Sequence, residues 1–511
     1  MTSQRPAQGP VLSSASRDRA AGVLLAQACG DALGAPTEFQ AQPLPSDHPI
    51  EMTGGGIFGW ARGEWTDDTQ MSIAILQAAE SAVADRVDLI DRLDEIAASW
   101  VAWSHSAPDV GIQTSRVLGS GATTADGLRT AAQAVHRSTG KSGGNGSLMR
   151  TAPVALALLG DPQATASTAR AISELTHADP EAGDACVLWC RAIQHAIEAG
   201  AFDPYQGLHL LPPARRDTWA DRLREAEQRD ATDFPKNGWV VHALQAAWSL
   251  IARTPVPGDD PESGQYPATH LREVLQGAAR LAGDTDTVGA IAGALVGARW
   301  GASAVPARWR RIVHGWPGLT GMDLARRGAA LAGGCDRTGW PLGSWVDYGD
   351  SAATGTLVAH PRESRLLLGD VLVVDDLPAQ VDAIVSLCRM GTEQVPRIAP
   401  ADRIETWLLD SAAPGANPNL HFALADTADV IAELLAEGKT VLVHCVAAQS
   451  RTPTIAAAYA IRHLRTDPQA ALDEACALLP DPQPNAAFRA ALMRLARPGL
   501  PGAGQAGEVV Q

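Results

Sequence analysis

Apolar positions recur at helical spacing through most of the first 335 residues. Leu89, Leu93, Ile96, Trp100 and Val101 fall on one helical face, and Cys186, Cys190, Ile193 and Ile197 form a second stripe. Period-two runs of β-branched residues are nearly absent, so the pattern predicts an all-α domain over residues 18–335. Its helices are separated by glycine-rich loops such as Gly54-Gly55-Gly56 and Gly143-Gly144-Asn145-Gly146. One more helix is predicted from Asn237 to Ala252.

The texture changes after Cys335. Residues 336–365 show no period and read as a linker. Short apolar runs then appear at Leu366–Leu368, Val371–Val374, Ile384–Leu387, Thr406–Leu409 and Val441–Val443. Helical patterns lie between and after them, notably Ala423–Glu437 and Thr452–Leu464. Strands alternating with helices predict an α/β domain with a largely parallel sheet over residues 366–498. Residues 1–17 and the glycine-rich residues 499–511 are expected to be disordered. The fold class is therefore multidomain, all-α followed by α/β.

Composition narrows the partners. With 41 basic and 57 acidic residues the formal charge is −16. Such a field disfavours generic nucleic-acid binding, although a local basic cleft stays open, and it suits divalent cations wherever carboxylates converge. Seven scattered cysteines fit a reduced compartment, no apolar run is long enough to span a membrane, and the N-terminus has no cleavable signal pattern. The expected location is the cytoplasm.

Four polar segments interrupt the helical region: Gly30-Asp31-Ala32-Leu33-Gly34 with Glu38 beyond it, Trp65-Thr66-Asp67-Asp68-Thr69, Gly144 to Arg150, and Gly283-Asp284-Thr285-Asp286-Thr287. Hard cations take oxygen ligands, and Thr-Asp-Asp and Asp-Thr-Asp-Thr each offer several within one turn. If the two helix starts face one another, four carboxylates and the threonine hydroxyls converge, and two divalent ions would neutralise them. Either segment alone reads equally well as a capped helix N-terminus.

In order, GDALG with a later Glu, WTDDTQMS, GNGSLMRTAP, LTHADP and AGDTDTVGAIAGALVG resemble the ADP-ribosylglycohydrolase family, across about Ala20 to Ala332. The resemblance implies an all-α domain with two Mg²⁺ ions that hydrolyses the bond between ADP-ribose and an acceptor, either a protein side chain or a small molecule. By motif, Thr66, Asp67, Asp68, Asp284, Asp286 and Thr287 are the implied metal ligands. Asp67, Asp68 and Glu38 are the implied catalytic acids, Glu38 as the mobile one closing over the metals. Ser142, Gly143, Gly144, Asn145, Gly146, Ser147 and His177 are the implied ADP-ribose contacts. The acceptor stays open.

In the second region, Val441-Leu442-Val443-His444-Cys445 runs into Val446-Ala447-Ala448-Gln449-Ser450-Arg451-Thr452-Pro453. A strand, a loop and a helix start would let loop amides and Arg451 surround an anion, hold Cys445 as a thiolate, and let Thr452 donate to the sulfur. The segment resembles the dual-specificity-like cysteine phosphatases over about Leu366 to Leu495. That implies a phosphocysteine at Cys445, a general acid at Asp410, a cradle formed by Val446, Ala447, Ala448, Gln449, Ser450 and Thr452, and a phosphorylated substrate. Ala448 stands where glycine is usual, which strains the cradle if positive φ is needed. The expected function is a bifunctional Mg²⁺-dependent de-ADP-ribosylating hydrolase and phosphatase. The alternative is a regulatory protein whose phosphatase-like domain binds without turnover.

Overall fold

The computed structural model describes residues 12–333 and 342–495. Contact clustering divides the chain into two units. One holds residues up to Val256, Ala268–Trp345 and Arg389–Thr392; the other holds Pro257–Pro267, Val346–Cys388 and the chain from Glu393 onward. Residues 1–11, the boundary expected at 335–336 and the tail expected at 499–511 lie outside the described residues.

The first unit is built mainly of helices, with one small antiparallel pair at His314–Gly315 and Leu319–Thr320; among the helices are α1 (Ser14–Gly34), α2 (Asp67–Asp85), α3 (Pro180–Ala199), α4 (Val240–Arg253) and α5 (Thr285–Trp300). Helix α1 starts at Ser14 because the Ser13 side chain accepts from the Ser16 amide at 3.1 Å, so residues 14–17 are helical rather than part of a disordered leader. Both predicted stripes are buried.

The closest packing in this unit is between α1 and α5, and small residues make it possible. Gly22, Ala26 and Gly30 on α1 face Gly289, Gly293 and Gly297 on α5, each set spaced by four. A Cβ added at Gly30 would lie 2.1 Å from the Gly289 carbonyl oxygen, and one at Gly297 would lie 2.1 Å from that of Gly22. The backbones therefore touch along three turns, and this places Asp31, near the end of α1, beside Asp286, at the start of α5.

The second unit carries a five-stranded sheet: β1 (Leu357–His360), β2 (Glu363–Gly369), β3 (Ala383–Ser386), β4 (Arg403–Glu405) and β5 (Val441–His444) in the order β1-β2-β5-β3-β4. Among the described pairings of this sheet, only β1–β2 is antiparallel. Every residue of β5 is buried, as a central parallel strand requires. Helices α6 (Leu420–Ala436) and α7 (Arg451–His463) follow the predicted patterns.

Three expectations are corrected here. The stretch expected as a linker, 336–365, contains β1 and the start of β2, a hairpin too short to show a period. Val371–Val374 is no strand: Asp370 accepts from the Leu372 amide at 3.1 Å and a short helix runs Leu372–Asp375. Thr406–Leu409 lies beyond β4, because the Asn417 side-chain amide occupies both the N–H and the C=O of Leu409, at 2.8 and 2.9 Å, in place of a ladder partner. Among the described residues, no helix is long and apolar enough to cross a membrane.

Candidate functional site

The starts of α2 and α5 meet. Carboxylate oxygens of Asp31, Asp68 and Asp286 lie within 4.8 Å of one another, as do those of Glu38, Asp284 and Asp286, so Asp286 belongs to both groups. The Thr66 hydroxyl lies 3.1 Å from Asp68 Oδ2 and 3.3 Å from Asp286 Oδ2. The Thr287 amide donates to Asp286 Oδ1 at 2.9 Å.

Asp31 caps α2 from another helix: it accepts from the Thr66 amide at 2.9 Å, the Thr69 amide at 3.0 Å and the Thr69 hydroxyl at 2.6 Å. With three donors satisfied it acts as a strut that fixes the Thr66-Asp67-Asp68 turn.

Burial, and then mutual repulsion, pushes Asp67, Asp68 and Asp286 well above the usual carboxylate range. The same causes push Glu38 up to about 9. Asp109 is pushed up to about 6 by burial and by the charge of Asp284. Asp68 Oδ1 and Glu38 Oε2 are buried without a hydrogen-bond partner. Buried, unpartnered oxygens surrounded by like charges are costly unless a cation takes them. An all-oxygen donor set without nitrogen or sulfur suits a hard divalent cation.

The glycine loop lies alongside. Gly143 O accepts from the Val240 amide at 2.9 Å, and the Asn145 amide donates to Gly238 O at 3.2 Å. A Cβ on Gly144 or Gly146 would come within 3.3 Å of the His177 ring, so the loop passes directly over that imidazole. The ring is buried, and burial together with Arg150 lowers its pKa to about 3, leaving it neutral. Arg150 Nη2 donates to the Thr176 hydroxyl at 2.6 Å, which in turn lies 2.7 Å from His177 Nδ1.

Two expected ligand contacts face inward instead. The Ser142 hydroxyl is buried against His136 Nδ1 at 2.6 Å, and the Ser147 hydroxyl takes the Cys186 thiol at 3.6 Å. Asn145 spends its amide on the protein, donating to Asn237 O at 2.8 Å and Asp284 Oδ2 at 2.7 Å.

Asp31, Asp109 and Asn237, outside the predicted set, also belong to this network. Asp31 stood in a quoted motif without a role. Asp109 lies in an unpatterned loop, and Asn237 precedes α4 with no spacing signal.

In the second unit, Cys445 follows β5 and is buried. Val446 O accepts from the Val371 amide at 3.1 Å and Gln449 O from the Gln483 amide at 2.7 Å, which hold the loop at both ends. Ala448 has φ 57°, so the left-handed strain expected there is present. Arg451 Nη1 donates to Leu387 O at 2.6 Å, and its buried Nε is without a hydrogen-bond partner.

Asp410 accepts from the Ser450 hydroxyl at 2.7 Å and from Asn485 Nδ2 at 2.9 Å; its Oδ2 is 3.9 Å from Arg451 Nε. Thr452 departs from expectation: its buried hydroxyl donates to Gly369 O at 3.3 Å rather than to the cysteine sulfur. His444, lowered to about 4 by burial, is neutral and lies 2.7 Å from the Ser386 hydroxyl. Cys388 is half-buried with its sulfur 3.9 Å from His444 Nδ1.

Comparisons with known proteins bear on the helical unit. A family model described as ADP-ribosylglycohydrolase matches residues 12–338. The ADP-ribosyl-(dinitrogen reductase) glycohydrolase of Rhodospirillum rubrum is 32% identical over 330 residues, 60% of this chain and 98% of that protein. The ADP-ribosylarginine hydrolase Tri1 of Serratia proteamaculans is 27% identical over 303 residues, 58% of this chain and 75% of that protein. The solved structure of human DUSP28 covers 28% of this chain and 92% of its own at 19% identity, with a TM-score of 0.24, a likeness too slight to bear on the cysteine loop.

Proposed function

This chain belongs to the ADP-ribosylglycohydrolase family, and on that premise we propose that its helical unit hydrolyses the bond joining ADP-ribose to the side chain of an arginine in a protein, the acceptor that the name of one relative specifies. The observation that carries the reading is the pair of carboxylate groups sharing Asp286, with buried, unpartnered oxygens on Asp68 and Glu38. The two groups support the proposal of two Mg²⁺ ions, which Thr66, Asp67, Asp68, Asp284, Asp286 and Thr287 would hold, with Glu38 closing over them; Asp67 lies in neither group and is tied to them by the charges of Asp31 and Asp284. Such ions would neutralise the buried carboxylates and polarise the ribose hydroxyls.

The chain's own residues supply the rest. Cleavage adds water across the glycosidic bond: hydroxyl goes to the anomeric carbon and a proton to the departing nitrogen. The surrounding carboxylates stabilise the positive charge that develops on the ribose. Asp67 and Asp109 repel one another, so one of the pair readily takes the proton that water gives up. The amides of the 143–147 loop suit the diphosphate. His177 lies beneath that loop as a neutral, fixed partner.

Release of ADP-ribose from peptides tests the acceptor. A peptide ADP-ribosylated on arginine is expected to be cleaved in Mg²⁺ at least about a hundredfold faster than one modified on serine, because the buried carboxylates complement a cationic leaving group. Equal rates would remove the arginine assignment.

A second activity is favoured by the cysteine loop. Cys445 at a strand end, a loop turned by left-handed Ala448 and Arg451 at the start of α7, its buried Nε 3.9 Å from Asp410 Oδ2, support the reading of an anion cradle. We propose that Cys445 Sγ attacks a phosphate monoester, a phosphorus–sulfur bond forms as the phosphorus–oxygen bond breaks, and Asp410 is the acid that gives a proton to the departing oxygen; water then breaks the phosphorus–sulfur bond, its proton passing to Asp410, and phosphate leaves. Cys445→Ser is expected to lower hydrolysis of p-nitrophenyl phosphate by more than about a thousandfold and to leave ADP-ribose release unchanged. Phosphate binding without hydrolysis by the wild type would select the regulatory alternative.

A further inference from the structure

Asn237 is buried, with 4% of its surface exposed, and every polar group on its side chain is committed. Its Oδ1 accepts from the Asp284 amide at 3.0 Å, and its Nδ2 donates to Ala282 O at 2.9 Å. Its backbone carbonyl accepts from the Asn145 side chain at 2.8 Å, and the same Asn145 nitrogen donates to Asp284 Oδ2 at 2.7 Å.

The residue thus clamps the 282–284 turn from one side and the glycine loop from the other. A third segment is tied in. The Phe39 amide donates to Gly283 O at 2.7 Å and the Gly283 amide to Gln40 O at 2.9 Å, so the turn that carries Glu38 hangs on the 282–284 turn. Gly283 has φ 78°, and a Cβ there would lie 2.5 Å from Asn237 Oδ1; the amide is pressed against backbone that only glycine can supply.

We propose that Asn237 is a positioning residue that couples cation binding at Asp284 to ADP-ribose binding at the glycine loop. The proposal rests on the functional reading above. The chemistry selects asparagine. A primary amide can accept from one backbone group and donate to another two residues away, which aspartate and leucine cannot do. Being neutral, it adds no further charge to a set of carboxylates that already repel one another. A cation that draws Asp284 into place also fixes Asn145 and the loop, and by reciprocity a ligand that orders the loop favours the cation.

The experiment is calorimetric titration of ADP-ribose into the full chain, once in Mg²⁺ and once in chelator, for the wild type and Asn237→Ala. Wild type is expected to bind ADP-ribose about tenfold more tightly in Mg²⁺, and the variant, which keeps the Asn145–Asp284 bond and the Asn237 carbonyl but releases the 282–284 turn, to show a clearly smaller ratio. A purely structural role would weaken both affinities and leave their ratio intact. If Asn237→Ala does not fold, Asn237→Ser keeps an oxygen near the Asp284 amide but cannot reach Ala282 as well, and is likewise expected to lower the ratio. A folded variant with the wild-type ratio, or a wild type whose two affinities are equal, overturns the proposal alone. A wild type that does not bind ADP-ribose at all overturns the functional reading along with it.

Discussion

Asp67→Asn combined with Asp68→Asn is expected to lower ADP-ribose release by at least about a thousandfold, measured by chromatography of the freed nucleotide. Asparagine keeps the shape of the turn, but it cannot hold a cation by charge or take a proton from water. The same variant is expected to melt at a higher temperature than the wild type in chelator, because two buried groups that burial and mutual repulsion disfavour as anions have become neutral. Activity and metal-free stability therefore move in opposite directions, which simple misfolding would not produce. Hydrolysis of p-nitrophenyl phosphate should be unaffected, since Cys445 lies in the other unit. If release persists, the acidic cluster is not the catalytic centre.

The second large effect is on stability against pH. Glu38 is raised from 4.5 to about 9, and Asp31 and Asp109 from 3.8 to about 6. A folded-state pKa above the unfolded one contributes stability that is full below the unfolded value and lost as pH rises through the folded value. These carboxylates therefore withdraw stability from the metal-free protein in two stages, up to about pH 6 and again on the way to about pH 9.

Buried histidines act oppositely: His177 at about 3 and His444 at about 4 add stability as pH rises toward 6.5, the value of the unfolded side chain. Above that value the histidines contribute no slope, and Glu38 sets the sign. Cations replace the protons, so the rise in melting temperature produced by Mg²⁺ should grow from little at pH 5 to roughly 10 °C at pH 8.5. A rise that shrinks over this window would contradict the account.

How far the sequence discloses these features depends on whether local spacing or distant contact creates them. The stripes Leu89 to Val101 and Cys186 to Ile197 mark real helix faces because burial repeats with the helical turn. Thr66 to Asp68 and Asp284 to Thr287 stand out as oxygen-rich helix starts, but their meeting depends on the α1–α5 glycine contact, which no single segment contains. Asp31 was visible in its motif; its service to α2 was not, since an Asp supplied by another helix leaves no local capping pattern.

Asp109 and Asn237 gave no signal at all, one in a loop and one at a helix edge whose importance comes from residues far away in sequence. In the second unit the long apolar run of β5 and the loop after it were legible. The departures at Val371–Val374, at Thr406–Leu409 and in the β1–β2 hairpin each arise from a side chain or a short pairing that diverts the backbone from its propensity, Asp370 in the first case and Asn417 in the second.

The most direct test of the central claim is calorimetric titration of Mg²⁺ into the metal-free full chain and into the Asp67→Asn/Asp68→Asn protein. The account predicts uptake of about two ions by the wild type, with protons released on binding, and none by the variant at the same concentrations. No uptake by the wild type, or equal uptake by both, would contradict it.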